Sequence, residues 1–242
     1  MHLLRSRVPG TRLPPADLAP LAGRAVLCSW SGGKDCALSL VEAVAAGARP
    51  IALLTMLTEG GERSRSHGLR LEVLEAQAAA LGLPLVTRAA TWAGYEEAFV
   101  AALRELRACG AEVGVFGDID TASHRGWVEG VCARAGIEPS HPIWQHPRDR
   151  IVGRLVQLGI VADVIAVRDG VLPRELLGRR VDHRLVAELE ALGVDAAGEN
   201  GEYHSVVVSA PLFSRPVPLT WGEVVLRDGV WFADVLLDSI HP

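Results

Sequence analysis

An apolar run that passes through a glycine pair straight into a helical repeat constrains this chain more than any other feature. Residues 25–30 read as a buried strand, and Ala37, Leu38, Val41, Val44 and Ala45 give a helix face that ends at Gly47. Between them stands Ser31-Gly32-Gly33-Lys34-Asp35-Cys36. A chain built this way is expected to form a parallel sheet with crossover helices on its faces. The turn also suits an anion: glycines let backbone amides approach it, the free amides of a helix start point at it, and the helix dipole favours its charge. Lys34 adds a full positive charge. The competing reading is a plain tight turn in which Ser31 or Asp35 caps the helix. The spacing matches neither a Walker A loop nor a GxGxxG dinucleotide turn.

The alternation continues along the chain. Strands are expected at 51–57, 85–87 and 113–116, and helices at 69–81, 95–109 and 123–135. A proline-spaced stretch over 138–147 breaks the pattern and places a domain boundary there. Beyond it the pattern predicts a helix at 148–158, a strand at 162–168, helical segments around Glu175 and over 182–192, and a strand at 205–209. A hairpin closes the chain, with 224–227 and 230–235 flanking Asp228-Gly229. The fold class is α/β, a parallel-sheet domain over 25–147 followed by a smaller α/β domain over 148–242. Residues 1–24, rich in Arg and Pro and without periodicity, are expected to be a flexible extension.

Composition narrows the function classes. With 49% hydrophobic and 22% charged residues the chain has an ordinary core, which excludes disorder, collagen and coiled coil. The greasiest stretch, 158–167, carries Asp163 in its middle, so no membrane span is expected, and no apolar leader opens the chain. Cysteines at 28, 36, 109 and 132 have no paired spacing, which suits free thiols in the cytoplasm. The net charge is −5 and residues 1–24 hold four Arg against one Asp, so the remainder carries −8. Such a body is a poor partner for nucleic-acid phosphates.

One anomaly marks two places. Of 24 basic residues 23 are Arg, leaving Lys34 as the single Lys, and Asn200 is the single Asn. An average chain of this length holds roughly a dozen Lys. A GC-rich genome suppresses the codons of both residues, so the survivors mark positions where Arg or Asp does not serve. Asn200 lies in Gly198-Glu199-Asn200-Gly201-Glu202-Tyr203-His204-Ser205, which packs two carboxylates, an amide and an imidazole together. Asn-Gly also favours a tight hairpin turn, and turn and site are compatible readings.

The first motif resembles the SGGKDS loop of PP-loop ATP pyrophosphatases, a branch of the adenine nucleotide alpha-hydrolase (HUP) fold. The second narrows the resemblance to the diphthine-ammonia ligase family, whose GENGE(F/Y)HT signature it follows. The likeness extends over most of residues 24–213. It includes Ser66-His67, Gln77-Ala78, the run from Val115 to Ile119, His124-Arg125 with Trp127 and Glu129, Val131-Cys132, Pro142-Ile143-Trp144, and Leu177-Gly178-Arg179 with Asp182. The chain departs from the pattern with Cys36 for Ser, Ser205 for Thr, and Ala196-Ala197 where relatives often carry Pro-Cys. The last of these suggests a side branch. A thiol at a helix start is expected to be more acidic than a free one and open to oxidation.

The resemblance implies an ATP-dependent ligase that adenylates a carboxylate and passes the acyl group to ammonia, releasing AMP and pyrophosphate. Under that reading Ser31, Gly32, Gly33, Lys34, Asp35 and Cys36 hold the pyrophosphate portion of ATP, with His67 near the nucleotide. Asp35 and Asp118 help hold Mg²⁺, which takes oxygen ligands alongside phosphate. Asp118 follows a strand at the end where ligands gather, although it could equally cap a helix. Arg125 is the candidate to stabilise charge on the α-phosphate, against the bland reading of a solvated Arg. Glu199, Asn200, Glu202 and His204 orient the acceptor or deprotonate ammonium. The 148–242 part binds the acceptor, either diphthine on elongation factor two or an unknown small molecule.

Free ammonia is the expected nitrogen donor, since no glutaminase signature is present, and His141 and His146 lack the further ligands of a zinc site. The sequence leaves the oligomeric state open, a homodimer being the commonest closed assembly. Two competing classes are a PP-loop RNA-modifying enzyme, disfavoured by the acidic body, and a nucleotide sensor without turnover, disfavoured by the carboxylate-rich second motif.

Overall fold

The computed structural model describes residues 20–238. The flexible extension expected at the N-terminus falls mostly outside that range. Of its described end, Leu21 is buried and the Gly23 N–H donates to the Gly47 carbonyl at 2.8 Å.

Five strands form a parallel sheet in the order β3-β2-β1-β4-β5: β1 (Ala25–Ser29), β2 (Arg49–Leu57), β3 (Leu85–Ala89), β4 (Val113–Val115) and β5 (Glu138–Ser140). The crossovers are α1 (Lys34–Ala45), α2 (Leu71–Leu81), α3 (Tyr95–Ala108) and α4 (Ala122–Ala135). Both faces of the sheet are covered, which is why its strands are continuous apolar runs. Val26 and Cys28 of β1 pack with Leu38 of α1 and Val73 and Leu74 of α2, whereas Leu27, one residue out of phase, packs with Phe99 of α3 and Val131 of α4.

Two departures from the sequence pattern have local causes. The proline-spaced stretch opens with β5, three residues paired to β4 at the sheet edge, where Pro139 needs no donor on its outer side. Helix α2 begins at Leu71 rather than residue 69 because 63–70 folds back on itself through bridges between Leu57 and Ser64 and between Arg63 and Arg70.

After α5 (Arg148–Leu158), an antiparallel sheet follows in the order β7-β6-β9-β8: β6 (Val161–Arg168), β7 (Tyr203–Ser209), β8 (Leu219–Arg227) and β9 (Val230–Leu237). A 3-10 turn at Arg174–Leu176 and α6 (His183–Ala191) connect β6 to β7. Strand β8 starts at Leu219, five residues before its pattern becomes legible. It is a largely exposed edge strand, and a register shift between Trp221 and Val224 breaks its alternation.

The two sheets share one hydrophobic cluster, in which Leu38, Leu40 and Val113 are continuous with Ile151, Leu155, Val164 and Val206. Polar ties reinforce it. Arg154 of α5 bonds Glu42 of α1 at 2.6 Å, and the Val207 N–H of β7 donates to the Gly32 carbonyl at 2.9 Å. The second sheet is thereby set against the start of α1. Among the described residues no helix is long and apolar enough to cross a membrane.

Candidate active site

Strand β1 is hydrogen-bonded to β2 on one side and to β4 on the other, so the order of connection reverses between β1 and β4. Open parallel sheets bind ligands at that reversal, beyond the strands' C-terminal ends. The loop Ser31 to Cys36 leaves β1 there, and Gly117-Asp118 leaves β4. The two loops touch, since a Cβ on Gly117 would lie 2.9 Å from the Cys36 nitrogen.

Gly32 turns the loop with φ +82°, in a pocket where a Cβ would press within 2.6 Å of the Leu69 side chain. Gly33 then begins α1, and neither Ser31 nor Asp35 caps the helix. The hydroxyl of Ser31 instead accepts from the Gly33 N–H at 3.4 Å. Gln77 of α2, fully buried, holds the loop from behind. Its amide donates to the Gly32 carbonyl at 3.1 Å and the Val207 carbonyl at 2.8 Å, and its oxygen accepts from Trp30 Nε1 at 2.9 Å.

Lys34 is 4% exposed and bonds Asp35 at 2.7 Å, with its ammonium 5.3 Å from the Tyr203 ring centre. Burial opposes its charge, but Asp35, Tyr203 and Glu199 more than offset this and hold its pKa above the ordinary lysine value. Cys36 corrects an expectation. Its thiol is buried, bonded to the Gly33 carbonyl at 3.1 Å and to Ser31 at 3.4 Å, and burial pushes its pKa up rather than down. Desolvation of the thiolate outweighs the helix start, so Cys36 is no reactive thiol.

The second motif is a turn and a neighbour of the loop at once. Glu202 is buried and accepts from the Asn200 backbone N–H at 3.0 Å and from Asn200 Nδ2 at 2.9 Å, which folds the turn. Strand β7 starts immediately after, so Ser205, buried, accepts from the Lys34 backbone N–H at 3.2 Å. His204 meets His67 with ring centres 4.7 Å apart, and a Cβ on Gly33 would come within 2.5 Å of His67 Nε2.

Electrostatics separates these groups. Burial, then Asp35, push the Glu199 carboxyl up to about 7 against the pull of Lys34 and Arg148. Burial, with Lys34 and Arg168, lowers His204 to about 4, and burial with His204 and Lys34 holds His67 well below the usual histidine value. Both imidazoles are neutral near pH 7. Of Glu199, His67 and His204, it is Glu199 that exchanges a proton near neutrality.

Asp118 lies 3.7 Å from both His124 and His141, and its carboxyl is raised by burial, against the two histidines and with Asp35. Asp35 Oδ1 is buried without a hydrogen-bond partner. An orphaned carboxylate oxygen beside a second carboxylate fits Mg²⁺, which takes one or two protein carboxylates and completes its shell with phosphate oxygens and water. Arg125 lies on α4, donates to Glu129 at 2.7 Å and stacks over Trp144 at 4.8 Å.

Sequence reasoning gave no role to Gln77 or Arg148. Gln77 carried a readable signal, a polar residue on the apolar face of α2. Arg148 carried none. Its guanidinium bonds Asp120, in the loop after β4, at 2.6 Å twice, and Asp195 at 2.7 Å and Asn200 at 3.4 Å ahead of β7. It ties the two loops of the site together.

Comparison with known proteins gives matches over nearly the whole of this region. Residues 24–139 match the family model described as diphthamide synthase N-terminal domain, and residues 148–234 match its C-terminal counterpart. The diphthine–ammonia ligase of Homo sapiens is 27% identical over 230 residues, which cover 85% of this chain and 86% of that protein. The diphthine–ammonia ligase of Danio rerio is 26% identical over 232 residues, 85% of this chain and 90% of its own. A solved U34-tRNA thiolase from Methanococcus maripaludis superposes with a TM-score of 0.37 and 12% identity over 58% of each chain.

Proposed function

The chain belongs to the diphthamide synthase family, and from that premise we propose how its two motifs perform an ATP-dependent, amide-forming ligation. The observation that carries the reading is the meeting of the motifs, through the Lys34 N–H on Ser205 and the Val207 N–H on Gly32. A phosphate loop is useful for binding alone; one bonded to a strand that carries an acceptor-type cluster serves transfer.

ATP binds with its β- and γ-phosphates in the loop from Ser31 to Cys36, on its free amides and the charge of Lys34. Asp35 and Asp118 would hold Mg²⁺, which would neutralise phosphate charge. An acceptor carboxylate oxygen attacks the α-phosphorus, the bond from that phosphorus to the bridging oxygen breaks, and pyrophosphate leaves. Ammonia then attacks the acyl carbon of the mixed anhydride, and AMP leaves as the C–O bond breaks. Glu199 takes the proton that nitrogen must lose, since its carboxyl titrates near neutrality. Asn200 and Glu202 hold the turn that presents Glu199, while His67 and His204, both neutral, line the path as hydrogen-bonding groups. Arg125 is the remaining candidate for α-phosphate charge. The acceptor is diphthine on elongation factor two or another carboxylate, and the protein acts in the cytoplasm.

The deciding experiment uses ATP labelled at the α-phosphate with Mg²⁺, ammonium and desalted or whole cell extract. Label is expected in AMP, dependent on extract and lost in Lys34→Ala. Label in ADP, or no turnover despite tight nucleotide binding, overturns the ligase reading.

A further inference from the structure

Beside the phosphate loop lies a cavity of about 450 Å³, between the 58–70 segment and the second sheet. That is within the range of small-molecule sites. Its floor follows from strand periodicity: Glu223, Val225 and Arg227 of β8 and Val230, Phe232 and Asp234 of β9 alternate onto one face. The register continues across the sheet. Val225 is opposite Phe232, Phe232 opposite Ala166, and Ala166 opposite His204 of the second motif.

The cavity ends on His67, which is also the side chain packed against Gly33 and His204. One imidazole thus separates the cavity from the loop. The lining is chemically biased. Four arginines, Arg63, Arg65, Arg70 and Arg227, line it with three carboxylates, Glu223, Asp228 and Asp234; Asp234 is held by Arg63 at 2.9 Å and Arg70 at 2.6 Å, and His67 Nδ1 and Arg65 Nε are buried without hydrogen-bond partners. An apolar stretch of floor at Val225, Val230 and Phe232, an excess of arginine in the lining and an unpartnered His67 Nδ1 at one end suit an anion on an aliphatic arm.

We infer that this cavity is the acceptor site and that it takes a carboxylic acid on an aliphatic arm, its carboxylate at His67 and its arm over Val225 and Phe232. The inference rests on the ligase reading. It assigns acceptor selection to the β8–β9 hairpin, which neither motif includes, and leaves the nucleotide on the other side of His67.

The test uses the full chain with Mg²⁺ and α,β-methylene-ATP, which blocks cleavage, and 4,4-azipentanoate as a photoreactive aliphatic carboxylate. Irradiation is expected to label residues 64–70 or the β8–β9 hairpin saturably, with excess hexanoate suppressing the label and the nucleotide analogue leaving it intact. Val225→Trp and, independently, Val230→Trp fill the cavity. Each is expected to cut labelling at least tenfold while Mg·ATP affinity by calorimetry stays within twofold, which also shows that the variant is folded. Absence of saturable labelling at the cavity overturns the inference. So does displacement of label by the nucleotide analogue with loss of ATP affinity in the filled variants, which would put adenosine there. If AMP forms in the labelled-ATP assay and the cavity is not labelled, only this inference falls; if no AMP forms, the ligase reading falls first.

Discussion

The backbone N–H of Lys34 donates to the side-chain hydroxyl of Ser205 at 3.2 Å, across 171 residues of sequence. Both residues are buried, so the bond is shielded from water and has no solvent substitute. Ser205→Ala leaves that amide unpaired and loosens the first turn of α1. We expect a Mg·ATP dissociation constant five- to tenfold higher by calorimetry, corresponding to about 1 kcal/mol. Ser205→Thr should stay within twofold, because it restores the acceptor. Equal weakening in both variants would show that packing, not the hydroxyl, matters.

Gln77 satisfies three buried groups at once, the Trp30 indole and the carbonyls of Gly32 and Val207. Gln77→Leu preserves volume and removes every one of these bonds. The expected loss is about 3 kcal/mol or more, since each orphaned buried group costs about 1–3 kcal/mol. For a chain of this size that lowers the melting temperature by roughly 6–12 °C. A melting temperature within 2 °C of wild type (about 2 °C or less being within ordinary surface-mutation effects) would remove Gln77 from this role.

Arg148 is a planar fork between Asp120 on one side and Asp195 and Asn200 on the other. Because it is partly exposed, Arg148→Met should cost only about 1 kcal/mol of stability. Turnover should suffer more, with kcat falling at least tenfold while ATP affinity changes little, because the turn carrying Glu199 is no longer held. Arg148→Lys keeps the charge without the fork and is expected to recover only part of the loss. Full recovery by Lys would reduce the role to charge alone.

Glu199, with its carboxyl raised to about 7, is uncharged through much of the acid range. If it accepts the proton from nitrogen, kcat/KM for ammonium rises as pH passes through about 7. Glu199→Gln should remove that limb and lower kcat at least a hundredfold, the usual scale for losing a general base, with Mg·ATP affinity unchanged. A variant that keeps the acidic limb assigns it to another group.

His204 is held at about 4 in the fold, against about 6.5 for a free histidine. The folded state therefore favours the neutral ring. Its contribution is whole above pH 6.5 and is lost as pH falls from 6.5 toward 4, on the order of 3 kcal/mol in full. Glu199 titrates with the opposite sign, so the comparison must be between proteins. His204→Gln should flatten the fall of the urea midpoint between pH 7 and 4.5; an unchanged slope would mean that the ring is solvated.

The parallel sheet and the glycine loop after its first strand were readable because both rest on local regularity. Apolar runs alternating with helical repeats specify a parallel sheet, and a glycine pair between strand and helix marks the turn that leaves it. Edge strands were less legible: β5 is three residues with a proline, and β8 loses its alternation at a register shift. Cys36 was misjudged because a helix start is local, whereas the desolvation that raises its pKa comes from neighbours distant in sequence.

The sequence by itself determined the α/β class and marked the glycine loop and the second motif, including the two singletons Lys34 and Asn200 within them. Only the tertiary structure decided that Ser205 would meet the Lys34 amide, that Gln77 would stitch three segments together, and that Arg148 would join the loops after β4 and before β7. Periodicity and motif spacing act over a few residues, within reach of backbone sterics and hydrogen bonding. Pairings across 28 to 171 residues depend on how the two sheets share one core, which no single stretch of sequence encodes.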